Sequence, residues 1–463
     1  MQHQHWGRGR TLVAVLTSLA VFAAACGSGG DEGAETSTTS TAPTTEAPTT
    51  AEGDVTSTTE APALTASWKG VTEDTVQIAV SYLDFTGLIS AGLQNFGWGD
   101  QQLIWDFYID DLNERGGLAG RQVEMYFDGY NPAFALEAEE ACLRMTEDNE
   151  VFAVIGGFVG PAQSATTCLT EQEDLVLVGG AMTTDLLEDA KNVWINAGSS
   201  SARRIPIFFS LLEQTGRLDD RPIAIVSGDE DVASTESVIE PLLADRGANV
   251  VMTAINTIPT DDTLAEDRFW LTTAERIRDE GAEVIIINGD TTGAFRGIAD
   301  NGLDQEIWVV TVDQLVNLGT TVDRAVADGA LGLSLSTPEE QWNEPGMVEC
   351  VDRFRNAHPE VEILGPLEVG DLDERWYIEL QVACRRLAVT ELVFNAAGPE
   401  LTPATVKAAY ESLGEVSLPG YVHVSFGPGK PDANDGFRLS EFDHTLGANG
   451  GMAPITDLLD ATP

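Results

Sequence analysis

The chain is short of positive charge, histidine and cysteine, and each shortage removes a class of function. Against 75 Asp and Glu it carries only 25 Lys and Arg, a formal net charge of −50. A field of that sign repels DNA and RNA, so no nucleic acid is expected as a partner. Beyond the first few residues only His358, His423 and His444 remain, none in the H-E-x-x-H spacing of a zinc hydrolase. No G-x-S-x-G elbow accompanies them. Gly427-Pro428-Gly429-Lys430 lacks the hydroxyl that follows a P-loop lysine and runs into Pro431, which makes it a turn. Asp432-Ala433-Asn434-Asp435-Gly436 has the wrong phase for a calcium loop. Asp371 and Asp373 have the chemistry of a glycosidase pair, but acidic neighbours arise by chance at this density. The expectation is therefore a binding protein without catalytic residues, metal or cofactor, with a surface hydrolase as the weakest alternative.

Long apolar runs are equally scarce. The first, Leu12 to Ala25, follows Arg8 and Arg10 and is too short to span a bilayer as a mature helix, but it suits the core of a signal peptide. Ala23-Ala24-Ala25-Cys26 ends it with the small residues that a lipoprotein signal peptidase accepts before a cysteine. Residues 1–25 are read as a lipoprotein signal peptide and Cys26 as the lipidation site. From Asp31 to about Ala66 the chain is mostly Thr, Ser, Ala, Pro and Glu without Lys or Arg, too polar to fold. Residues 26–69 are thus expected as a disordered tether, and roughly 40 such residues have a root-mean-square reach of about 35 Å. No later run has membrane-spanning length. The expected location is extracytoplasmic, with the chain held at the cell membrane by lipid alone.

Four cysteines besides Cys26 are Cys142, Cys168, Cys350 and Cys384. An even number outside the cytoplasm predicts two disulfides, and no C-x-x-C pair invites zinc. Three connectivities are possible. The local one, Cys142–Cys168 with Cys350–Cys384, is favoured because each bond would join consecutive helices of one lobe, worth roughly 3–4 kcal/mol apiece.

The remaining 400 or so residues exceed one core, which predicts two lobes. Apolar strand-like runs alternate with amphipathic helical stretches, the pattern of parallel sheets covered on both faces. Strands are expected at 76–80, 122–127, 151–156 and 175–178, with helices at 103–114 and 133–145. The rhythm restarts after Ser199-Ser200-Ser201 with strands at 223–226, 250–254, 284–287 and 307–310 and helices at 234–245 and 272–280. A strand from Ala330, helices at 375–389 and 404–412, and strands at 422–426 and 436–442 follow.

Val76-Gln77-Ile78-Ala79-Val80, Asp84-Phe85-Thr86-Gly87 and Asn113-Glu114-Arg115-Gly116-Gly117-Leu118-Ala119-Gly120-Arg121 together resemble the opening of the type I periplasmic binding proteins. Asp128-Gly129-Tyr130-Asn131-Pro132 and Val154-Ile155-Gly156-Gly157 extend the likeness, specifically to the branched-chain amino-acid binding proteins of ABC transporters. The resemblance covers about residues 70–445. It implies an α/β fold of two doubly wound parallel-sheet lobes joined by a three-crossover hinge, with crossovers near Ser199, Gly332 and Ser417. Lobe 1 is expected over 70–200 plus 333–416, lobe 2 over 201–332 plus 417–447, and a tail over 448–463. It also implies a monomer that closes on a small-molecule ligand and meets an ABC transporter permease.

In such sheets ligands sit beyond the carboxyl ends of the strands. By the resemblance, Ala181 and Thr183 match contacts to a ligand α-carboxylate, and Asp313 matches the partner of an α-ammonium. Thr183 suits a helix N-cap equally well. Where the family has a serine, this chain has Gly160, in Gly160-Pro161-Ala162-Gln163. Gly228-Asp229-Glu230-Asp231-Val232 and Asp290-Thr291-Thr292 replace the family's aromatic loops of lobe 2. The expected pocket has Phe96, Trp98, Phe158, Gly160 and Gln163 on one side and Asp229, Asp290, Thr291 and Asp313 on the other. It suits an amino acid, an amide or a related cationic compound. A ligand sensor or scaffold without a transporter is the alternative on the same fold.

Overall fold

The computed structural model describes residues 63–90, 96–132, 134–228, 231–258, 263–289, 291–311, 315, 322–370, 373–446 and 450–462. Cys26, Asp229, Asp290 and Asp313 lie outside them, as do the expected signal peptide and most of the expected tether.

Two sheets organise the chain. The first contains β1 (Thr75–Leu83), β2 (Gln122–Tyr130), β3 (Ala153–Ile155), β4 (Val176–Val178) and β5 (Val193–Ile195), all parallel in the order β2-β1-β3-β4-β5. The second opens with β6 (Ile223–Gly228), β7 (Val250–Asn256), β8 (Val284–Asn288), β9 (Glu306–Thr311) and β10 (Leu331–Ser334), also parallel. A small hairpin-like pair, β11 (Gly414–Glu415) and β12 (Ser425–Phe426), precedes the chain's return to that sheet. There β13 (Gly436–Asp443) runs antiparallel to β10, and β14 (Gly451–Pro454) and β15 (Leu459–Asp460) pair with β13. This is the two-lobed, doubly wound arrangement expected from the alternating pattern.

The Val-Ile-Ile-Ile run of β8 shows why such strands read as unbroken apolar stretches. Val284 and Ile286 join a core with Phe208, Phe209 and Trp308 on one face, and Ile285 and Ile287 join another with Trp270 and Phe295 on the opposite face. Both faces are covered, so neither strand parity is polar. Helix Ser201–Gln214 covers the first face, and helices Thr263–Asp279 and Thr291–Asn301 cover the second. In the first lobe one core is shared by β1, β3, β4 and the helices Gln101–Glu114, Pro345–Ala357 and Trp376–Ala397. Cys142–Cys168 and Cys350–Cys384 are disulfide-bonded, both in this lobe. Among the described residues no helix is long and apolar enough to cross a membrane.

Three boundaries differ from the expectation. Gly332 is no crossover but the middle of β10, paired with both β9 and β13, so the chain leaves the second sheet after Ser334. The stretch expected as a tail supplies β14 and β15, because Met452 and Leu459 pack on the core of the second sheet. The last residues of the expected tether are seated on lobe 1. Fully buried Arg121 donates to the carbonyls of Thr65, Thr72, Ala119 and Pro399, and Ser67 donates to Leu401. The turn that presents Arg121 requires Gly117, whose φ is +69° and whose added Cβ would lie 1.8 Å from the Arg121 carbonyl oxygen.

Candidate functional site

The carboxyl ends of the parallel strands form a rim on each lobe, and three connections join the lobes beside those rims. The first and third connections run side by side: Asn196 donates its N–H to Pro431, and Ala433 and Asn434 return theirs to Asn196 and Gly198. Buried charge clamps them. Asp432 and Asp435 are wholly inaccessible, Asp432 accepts from the Ser200 N–H at 2.6 Å, and Arg203 pairs with both carboxylates. Lys430 lies 3.1 Å from Asp435 and donates to the Asp432 carbonyl at 2.8 Å, while Ser425 donates to Asp435 at 2.6 Å. The segment that sequence alone rejects as a P-loop and calcium loop is thus a hinge lock.

On the rim of lobe 1 the loop after β3 is held from below. Ser81 Oγ accepts the Gly157 N–H at 2.7 Å, and the Tyr130 hydroxyl bridges the Gly157 carbonyl at 3.2 Å and the Val159 N–H at 3.1 Å. Phe158 is fully buried with its ring edge-on to Tyr130, which makes it part of the core beneath the rim. Gly160 and Gln163 lie in the 3-10 turn Gly160–Ala165, and Gln163 is half-buried. Phe96 stacks under the Arg375 guanidinium, 3.7 Å from its ring centre. Trp98 is buried edge-on to Phe85, and among the described residues its Nε1–H has no acceptor.

After β4, Ala181 and Thr183 are half-buried, and the Thr183 N–H donates to the Ala181 carbonyl at 3.0 Å. Thr183 also receives the Leu187 N–H, as a residue at a helix entry does. Its neighbour Thr184 is buried, and among the described residues its hydroxyl has no partner. Gly179 has φ +91°, and an added Cβ would lie 2.9 Å from Arg386 Nε. The Gly179 carbonyl accepts from Trp194 Nε1 at 2.6 Å and the Gly180 carbonyl from Asn196 Nδ2 at 2.9 Å, so this turn is fixed against the guanidinium.

Arg386 comes from the long helix Trp376–Ala397, which also carries Glu379. Glu379 is buried and accepts from Trp105 Nε1 at 2.6 Å. Burial pushes its carboxyl up to about 7, against the pull of the Trp105 hydrogen bond and the Arg386 charge. Burial pulls the Arg386 guanidinium down, against the charges of Glu379, Tyr130 and Tyr421. Neither residue stands out by motif. The available signal is compositional: in a chain with so few cations, Arg385-Arg386 stands in the middle of a largely apolar helix.

Among the described residues the rim of lobe 2 carries a connected polar network. Asn288 donates to Ser234 Oγ at 2.9 Å, Thr235 Oγ1 at 3.0 Å and the Asp231 carbonyl at 3.3 Å, and Thr235 donates to Ser227 at 2.9 Å. The Asp231 carboxylate lies over Gly289, where an added Cβ would meet it at 2.4 Å. Thr291 is half-buried at the start of its helix. The three described histidines face carboxylates: His358 faces Glu360, His423 faces Asp460 and His444 faces Asp328. The rims offer donors, acceptors and fixed backbone turns, the equipment of recognition.

Comparisons with known proteins agree with this geometry. Residues 105–441 match the family model described as periplasmic binding protein. A solute-binding protein of an ABC transporter from Rhodopseudomonas palustris, solved with 4-hydroxybenzoate, shares the fold at TM-score 0.54 and 16% identity. The match covers 84% of this chain and 98% of that one. A substrate-binding protein from Desulfitobacterium hafniense, in complex with Leu, gives 0.54 at 15% identity over 82% of this chain and 100% of its own. A fatty acid ABC transporter substrate-binding protein from Thermomonospora curvata gives 0.54 at 14% identity, covering 86% and 97%. No curated protein matches the chain. With two doubly wound lobes and a family match across most of its length, the chain belongs to the type I periplasmic binding protein family.

Proposed function

We propose that this protein is an extracytoplasmic solute-binding lipoprotein that captures a small polar ligand between its lobes and delivers it to an ABC transporter. The ligand is an amino acid, an amide or a related cationic compound, and the receptor works as a monomer without turnover. The observation that carries this reading is the hinge: the connections between the lobes run beside the strand carboxyl ends and are pinned to each other by the Arg203, Lys430, Asp432 and Asp435 cluster. Connections tied to one another make a common pivot about which two rigid lobes can close on a solute. The tether and Cys26 add the anchor that keeps such a receptor near a membrane partner.

The test is a ligand screen on the mature protein by thermal shift and calorimetry, with mass spectrometry of whatever co-purifies. At a hundredfold excess over Kd a true ligand stabilises by about 2.7 kcal/mol, a readily seen rise in Tm. Chemical conversion of the bound compound refutes the receptor reading in favour of a hydrolase. For the anchor, Cys26→Ala should release the protein from the membrane fraction; continued retention refutes lipidation at that residue.

A further inference from the structure

We propose that Arg386 is the anion-binding residue of the cleft, so that the ligand is a compound bearing a carboxylate, which Arg386 grips on the rim of lobe 1. The inference rests on the receptor reading above; of the ligands named there it keeps the amino acids, sets aside amides and carboxylate-free cations, and adds other organic acids.

Three observations converge on it. Arg386 is half-buried at the carboxyl end of β4, beside a turn whose residue 179 has no side chain to stand in its way. Among the described residues, no hydrogen bond or ion pair occupies its guanidinium. Several other cations drawn into the fold are engaged by acceptors: Arg203 and Lys430 with Asp432 and Asp435, Arg121 with four carbonyls, Arg144 with Asp128. The carboxylate nearest in charge, Glu379, is already bound to Trp105 and is half-protonated near neutrality, so it gives Arg386 only part of a counterion.

Among the described residues the same rim holds further buried polar groups without partners, the donors Trp98 Nε1 and the Thr184 hydroxyl and the acceptor Gln101 Oε1. A planar guanidinium takes a carboxylate through two parallel N–H···O bonds, which a primary amide or an amine cannot reproduce.

The experiment compares matched compounds on the mature chain by calorimetry: leucine, benzoate and 4-hydroxybenzoate as acids, leucinamide and benzamide as their amides, and putrescine as a cation. At least one acid should bind, with its amide weaker by roughly 10- to 100-fold, as expected for loss of a charged hydrogen-bonded pair. Arg386→Met should lose the acid by a similar factor with no fall in Tm, while Arg386→Lys should recover part of the affinity. Gly179→Ala, which pushes a methyl group against Arg386, should also weaken acid binding. An acid that binds Arg386→Met within twofold of wild type overturns the proposal, even if Gly179→Ala fails to fold. Binding of amides or putrescine without any acid overturns it too while leaving the receptor reading intact, and absence of binding across the panel overturns both.

Discussion

Arg203 and Arg386 bring the same guanidinium into the protein, one at the hinge and one at the rim of lobe 1, and only the first meets carboxylates there. Arg203 has Asp432 and Asp435 within reach, and the same pair of acids also receives Lys430, Ser200 and Ser425. Arg386 has a glycine turn, a tyrosine hydroxyl and a carboxyl that burial has pushed toward its neutral form. Charge taken out of water needs a partner, so a complete set marks a structural site and an incomplete one marks a place where the partner arrives from outside. The hinge and the rim therefore answer differently to the same perturbation.

The largest effect should come from breaking the complete set. Asp435→Ala leaves Arg203 and Lys430 short of a buried acid and should cost about 3–5 kcal/mol, seen as a large fall in Tm. A change within about 1 kcal/mol would reduce the cluster to the worth of surface pairs and erase the contrast. A smaller effect belongs to Glu379. Its carboxyl is raised from 4.5 to about 7, so the folded state binds its proton more tightly than the unfolded chain does. The stability it contributes is complete below about pH 4.5 and is lost as pH rises through about 7, a loss on the order of 3 kcal/mol. Glu379→Gln keeps an acceptor for Trp105 and removes the titration. Between pH 5 and 8 its Tm should fall less than that of the wild type; parallel profiles would remove the incomplete counterion from the rim.

Much of this architecture was legible in advance where both faces of a strand are covered. The runs of β6 and β8 are apolar at every position because helices pack on each side, and the lobe rhythm follows from them. What escaped were elements whose signal is short or polar. Three-residue β5 is too brief to show a period, and helix Thr263–Asp279 begins with Leu264 exposed among acidic residues, so only its second half reads as helix. The rim was half visible. Loop positions after β1, β3 and β4 follow from the fold, but whether a side chain there points out or in does not: Phe158 turns under the loop to pack on Tyr130, whereas Trp98 keeps an unpaired N–H. Arg386 could not be placed at all without the chain's third dimension, since its meaning depends on Gly179 and Tyr130, which reach it from two different strands.

The smallest expected effect is the most discriminating. Arg386→Met in ligand-free protein removes a half-buried cation whose countercharge is incomplete, and replaces it with an apolar chain of similar reach. The desolvation that the guanidinium suffers is relieved, and no described carboxylate loses a hydrogen bond, because Glu379 keeps Trp105. Stability should stay within about 1 kcal/mol of wild type or rise slightly, as when buried ionic groups are exchanged for well-packed apolar ones. Arg203→Met, the same exchange at the hinge, strands Asp432 and Asp435 and should fall with the Asp435 variant. Thermal unfolding of the two proteins side by side, without ligand, reads the difference directly. Equal losses would mean that Arg386 is as structural as Arg203, while a loss confined to Arg203→Met fixes the hinge as the place where charge holds the fold and the rim as the place where charge is held for a ligand.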